Sequence, residues 1–215
     1  MIRYLGTPST PEIRYAMATG LFDAMTGPYQ GNVLPPCPWG ADNGKFTATG
    51  PRTGWLGHGR WFDWLEGQVD RYGAESCRFA VAPDAPFNAA ATLDESLPWM
   101  AKIRNLGIPA AFAAQNDCDL YGLPWDEMDV LFLAGDTAWK IGPVAHRLTI
   151  EAKERGKWVH MGRVNSLRRL QIAEWFGCDS ADGTFLKFGP DINLGRLAAW
   201  LADMHRRPSL MAGDG

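Results

Sequence analysis

The stretch Trp158–Thr184, WVHMGRVNSLRRLQIAEWFGCDSADGT, decides how this chain is read. Trp158 to Met161 suits a buried strand and stops at Gly162-Arg163. An amphipathic helix from Ser166 to Phe176 then runs into Gly177, and a short strand follows, with Asp179 and Asp182 near its carboxyl end and Gly183 just past it. Strand, helix, strand is the repeating unit of a parallel α/β fold. Aspartate is a poor strand former. A carboxylate at a strand end, beside a glycine that lets a ligand approach, is a usual placement for a reacting group in an α/β barrel. The plainer reading of either Asp is a turn or helix cap.

The same alternation extends along the chain. Ile2 to Leu5 reads as a strand, and Thr10-Pro11 as the cap and first turn of a helix reaching Met25. Strands are predicted at Trp39–Gly44, Cys77–Ala82, Pro109–Ala114, Val130–Ala134 and Phe185–Phe188, and helices at Arg60–Tyr72, Leu93–Asn105, Thr137–Arg155 and Leu194–Met204. Gly50 to Gly59 is a glycine-rich loop expected to be mobile. With up to eight strand candidates and no break in composition, the first expectation is a compact (β/α)8 TIM-like barrel, with an open doubly wound sheet second. Residues 1–207 are expected to make one domain, followed by a flexible tail at 208–215.

The 215 residues are 46% hydrophobic and 21% charged, ordinary for a soluble globular domain. A formal net charge of −3 does not advertise nucleic-acid binding, so any such surface must be a local basic patch. No apolar run approaches the roughly 20 residues of a membrane span. The opening MIRYLG lacks the layout of a secretory signal and reads as a mature cytoplasmic start. Cys37, Cys77, Cys118 and Cys178 form no CxxC pair, and His58, His146, His160 and His205 form no HxH or HExxH. No metal site is therefore predicted. No GxGxxG or GxxxxGK[ST] follows a strand, which leaves dinucleotide and P-loop readings without support.

The informative pattern lies where each strand finishes: Asp42-Asn43, Asp84, Gln115, Gly135-Asp136, and Asp179 with Asp182. In a barrel these converge on one rim. Several carboxylates gathered there would be costly unless a ligand or water satisfied them. Two Asp side chains suit glycosyl chemistry, one as nucleophile and one as acid/base. Asp and Gln edges with a backbone glycine also match the donor and acceptor pattern of a purine. A nucleoside or glycoside hydrolase and a non-enzymatic binding module are the competing readings.

These segments resemble the tRNA-guanine transglycosylase family, and more closely its phage-type relatives, the 7-deazapurine DNA transglycosylases. Ala41-Asp42-Asn43-Gly44-Lys45-Phe46 is similar to the segment carrying the family's acid/base Asp. Phe79–Asp84, Phe112–Gln115 and Leu133–Gly135 resemble the strands that read the base, and His160–Val164 with Gly177–Asp182 the segment that carries the nucleophile. The resemblance implies Asp182 as nucleophile and Asp42 as acid/base, with Asn43, Asp84, Gln115, Gly135, Asp136 and Gly162 binding the substrate. It implies exchange of guanine in DNA for a free 7-deazaguanine, through a covalent Asp182 glycosyl-enzyme and without cofactor. The family's CxCxxC…H zinc insertion has no counterpart here, which favours DNA over tRNA. Arg163, Arg168 and Arg169 are expected to meet DNA phosphates, with Arg52 and Arg60 beside the glycine-rich loop. Trp39 and Trp139 are candidates for base stacking. Pairing of two copies would widen the groove.

Overall fold

The computed structural model describes residues 2–48 and 55–206, with the side chains of 47, 48 and 205 set aside. Eight parallel strands close into a barrel, each bonded to the next in chain order. They are β1 (Arg3–Gly6), β2 (Asp23–Thr26), β3 (Trp39–Ala41), β4 (Cys77–Val81), β5 (Ala110–Ala114), β6 (Val130–Leu133), β7 (Trp158–Met161) and β8 (Ser180–Asp182). The ring closes where β8 pairs with β1, Arg3 opposite Ser180 and Leu5 opposite Asp182. Outside it lie α1 (Pro11–Ala18), α2 (Lys45–Ala48), α3 (His58–Tyr72), α4 (Ala89–Asn105), α5 (Thr137–Lys140), α6 (Pro143–Glu154), α7 (Leu167–Phe176) and α8 (Pro190–Arg206). The expected α/β barrel is the observed fold.

Strand alternation builds two apolar layers. Leu5, Met25, Phe79, Val81, Ala111, Ala113 and Val130 fill the interior of the barrel. Ile13, Trp61, Leu65, Met100, Ile103, Leu148 and Leu170 pack the helices onto its outer surface. Each such side chain, fully buried, contributes about 1.5–3 kcal/mol relative to exposure. Trp39 belongs to the outer layer: it is buried, and its Nε1–H donates to Gly73 O and Ser76 Oγ. It is therefore core, not a stacking platform.

Local structure departs from the sequence pattern where tertiary contacts outweigh it. The first helix stops at Ala18 because Gly20 takes a left-handed φ of +81°. Asp23, Ala24 and Met25, expected to continue it, instead belong to the second strand, Asp23–Thr26. Asp23 is tolerated in that buried strand because Arg78 Nε donates to it at 3.1 Å. The expected strand at Phe185–Phe188 is a single 3-10 turn, Phe185–Lys187. The slot beside β1 is already taken by β8. The helix expected at Thr137–Arg155 breaks in two, since Pro143 opens a new first turn. The expected tail at 208–215 and residues Gly50–Gly54 of the expected mobile loop lie outside the described residues; Trp55–Gly57 carry no helix or strand, and His58 and Gly59 open α3. No described helix is long and apolar enough to cross a membrane.

Candidate active site at the barrel rim

Six residues expected at the site meet around one pocket at the carboxyl ends of the strands: Asp42, Asn43, Asp84, Gln115, Arg163 and Asp182. The pocket measures about 70 Å³ and opens to solvent at its mouth. Val81, Ala113, Phe132 and Ala134 make its apolar wall, and Phe46 and Phe87 stand at its edge.

One side is a locked amide–carboxyl cluster. Asn43 Nδ2 donates to Asp84 Oδ1 at 2.8 Å and to Ala82 O at 2.8 Å, while Gln115 Nε2 donates to Asp84 Oδ2 at 2.6 Å. Asn43 Oδ1 accepts from Lys45 N, and Gln115 Oε1 accepts from Phe87 N. Much of the hydrogen-bonding capacity of these amides is thus used within the protein, which shapes the pocket. Burial pushes the Asp84 carboxyl up to about 6, an effect that the Asn43 bond opposes.

Asp42 follows β3, and its Oδ1 accepts from Gly44 N at 3.3 Å. Burial first, and then the Asp182 carboxylate, push its carboxyl up to about 7. Asp182, the last residue of β8, is bonded differently: Oδ1 accepts from His160 Nε2 at 3.0 Å and from Arg163 N at 3.1 Å. The two carboxyls differ in environment, a usual mark of an acid/base pair.

Arg163 holds a left-handed φ of +59°, rare for a residue with a side chain, and Phe87 holds +65°. Strain of this kind collects at functional sites. The Arg163 guanidinium donates to Ala134 O and Gly135 O, lies 4.4 Å from the centre of the Phe46 ring, and is 5.9 Å from that of Phe87. It points into the rim of the pocket, where the sequence suggested phosphate contact. Behind Asp182, burial pushes the Lys140 ammonium down to about 7, and Lys140 Nζ donates to Gly162 O.

The other expected residues stand elsewhere. Gly135 and Gly162 do not line the pocket, and their carbonyls accept from Arg163 and Lys140. A Cβ on Gly135 would come within 2.5 Å of Trp139, so this glycine accommodates Trp139, which packs beneath it. Asp136 caps α5 through Trp139 N at 2.9 Å and accepts from Asn116 Nδ2 at 2.8 Å. Replacing it with Ala is expected to lower the urea midpoint and leave ligand binding in the pocket unchanged, as paired urea melts and binding titrations would show. Arg168 is exposed on α7, where Arg169 is half-buried; Arg60 is exposed on α3, and Arg52 lies outside the described residues. Asp179 sits at the opposite end of its strand from Asp182 and pairs with Lys153 Nζ at 2.7 Å. Sequence reasoning missed Phe46, Phe87, Lys140, His160 and Ser180. The available signal was period two, since Trp158, His160, Ser180 and Asp182 fall on inward positions of adjacent strands. Among the described residues no three His, Cys, Asp or Glu side chains are gathered for a metal ion.

Fold and pocket together define a parallel (β/α)8 barrel with a carboxylate-lined rim. No protein-family model and no curated protein matches the chain. Solved structures do match. The Bacillus subtilis YkuI protein, with an EAL domain and in complex with substrate c-di-GMP and calcium, is 13% identical at a TM-score of 0.43, over 79% of this chain and 45% of that one. The PaMucR phosphodiesterase in its c-di-GMP complex is 11% identical at 0.44, over 70% and 60%. The Xanthomonas citri FimX EAL domain in complex with c-di-GMP is 14% identical at 0.44, over 69% and 58%. This chain thus spans about half the length of these structures.

These neighbours are EAL-domain proteins, a family different from the transglycosylases. On that finding the expected phage-type transglycosylase membership is corrected. With it go guanine exchange, the glycosyltransferase class, the alternatives attached to it, and DNA and 7-deazaguanine as partners.

Proposed function

We propose that this barrel, one domain across the described residues, is an enzyme that binds a small flat molecule bearing N–H donors and moves a proton at it with Asp42. The observation that carries this reading is the pair Asp42 and Asp182, which face one pocket from β3 and β8. An acid/base group works best when it titrates near the working pH, and burial beside Asp182 brings the Asp42 carboxyl to about 7. Asp182 is placed to stabilise positive charge that develops on the substrate. Asp84, Asn43 and Gln115 hold the shape of the pocket.

Ligand chemistry follows from the lining. An ionised carboxylate only accepts hydrogen bonds, so above about pH 7, where Asp42 has given up its proton, the pocket favours amide, amidine or amino-heterocycle N–H groups. A flat ring fits between the apolar wall and the Phe46–Arg163–Phe87 group, where stacking contributes about 0.5–1.5 kcal/mol per aromatic partner. A phosphodiester anion would face Asp42, Asp84 and Asp182 with Arg163 as the balancing charge within the pocket.

The test is saturation-transfer NMR and calorimetry with 2-aminopyrimidine, 2-pyridone and benzamidine, with dimethyl phosphate as the contrasting anion. At least one N–H-bearing ring is expected to bind. Phe46→Ala and Phe87→Ala should each weaken that binding by up to about tenfold. Binding of the phosphate alone, or of none of the rings, sinks the reading. So does an Asp42 carboxyl carbon that titrates in the ordinary carboxylate range.

A further inference from the structure

A file of polar groups climbs the barrel interior along β7 and β8. Trp158 Nε1 and Ser180 Oγ are 2.8 Å apart, Ser180 Oγ and His160 Nδ1 are 2.8 Å apart, and His160 Nε2 lies 3.0 Å from Asp182 Oδ1. His160 and Ser180 are register partners and both are completely buried. Phe132 stacks on the imidazole with ring centres 4.6 Å apart, and Phe79 lies tilted against it at 4.9 Å. The ring is completely buried, and its protons are shared among these neighbouring groups.

Donor chemistry allows one neutral assignment. An indole N–H only donates, so Ser180 Oγ accepts from Trp158. The hydroxyl proton has no other acceptor among the described residues, so it goes to His160 Nδ1; a second accepted bond would leave that buried proton without a partner. The ring proton must then sit on Nε2 and point at Asp182 Oδ1, an atom that also accepts from Arg163 N. Among the described residues Asp182 Oδ2 takes no hydrogen bond.

We infer that Ser180 and Trp158 set the tautomer of His160, and that His160 is a positioning residue, pinning Asp182 by Oδ1 and presenting Oδ2 to the pocket. The role of Asp182 rests on the function proposed above. The tautomer does not, because it follows from buried geometry alone. Long-range proton–nitrogen NMR of the free protein reads it directly. The expected spectrum shows a neutral ring with the proton on Nε2 in slow exchange, and an imidazolium or an Nδ1–H ring overturns the inference. Ser180→Ala should turn the single tautomer into a mixture, and Ser180→Thr, which keeps the hydroxyl, should restore it. An unchanged spectrum in Ser180→Ala removes Ser180 from the relay. Should Ser180→Ala fail to fold, the spectrum of the unaltered protein still decides. Loss of ring binding with the tautomer intact would refute the proposed function and leave this assignment standing.

Discussion

Asp42→Asn is expected to make the protein more stable at pH 8 and to leave it nearly unchanged at pH 4. In the unfolded chain Asp42 ionises in the ordinary carboxylate range, whereas in the folded barrel burial and the Asp182 carboxylate hold its proton to about 7. Between those values the native state binds more protons than the unfolded state, so stability falls as pH rises. The contribution is fully present below the unfolded pKa and is lost as pH passes through the folded one. The loss reaches up to about 4 kcal/mol, a factor of about 1.4 kcal/mol for each unit of displacement. Asparagine does not ionise, so the variant escapes the loss. It also keeps an oxygen for the Gly44 N–H that Asp42 Oδ1 now accepts. Urea melts of both proteins at pH 4, 6 and 8 would show the gap opening upward. Equal stability at pH 8, or a less stable variant, would mean that Asp42 ionises as an ordinary surface carboxylate. A second arm tests the cause: Asp182→Asn removes a charge that raises Asp42, so the Asp42 titration should move down. The stability gained in Asp42→Asn comes with loss of the group proposed to move the proton, a common trade at catalytic positions.

Gly183→Ala is the substitution expected to damage the fold most. A Cβ there would lie 2.3 Å from Asn165 Oδ1, 2.5 Å from Val164 O and 2.8 Å from Tyr4 Oη. The Val164 carbonyl is backbone and Tyr4 is buried, so neither can retreat cheaply. Overpacking of this severity costs about 3 kcal/mol, which for a domain of this size is a fall of about 6–12 °C in Tm. Gly67→Ala is the contrast: nothing lies within 4 Å of the added methyl, and the position is inside α3. Alanine there should stabilise by about 0.5–1 kcal/mol. Calorimetry on the two variants would sink the packing account if both changed Tm by similar amounts. The glycine after Asp182 therefore serves the close approach of three protein groups, where the sequence suggested close approach of a ligand.

Much of the barrel was legible because its strands are short apolar runs separated by helices, and that alternation is a local property. Trp158–Met161, Ala110–Ala114 and the helix before Gly177 needed only periodicity and a terminating glycine. Asp23–Thr26 was illegible because a buried aspartate in a strand makes sense only when Arg78, 55 residues away, supplies its partner. Convergence of Asp42, Asp84, Gln115 and Asp182 was readable from their place after successive strands, since closure of a parallel barrel carries those ends to one rim.

What the sequence determined by itself was the order of strands and helices, and hence the rim on which the polar strand ends gather. The tertiary structure alone decided which of those residues reach the pocket and which are used up inside the protein. Asp136 became a cap and Gly135 made room for Trp139. Arg163 turned inward onto two phenylalanines, and His160 was placed against Asp182. The reason is physical: strand alternation is set by neighbours along the chain, whereas hydrogen-bond partners, burial and proton affinity are set by groups that meet only when the barrel closes.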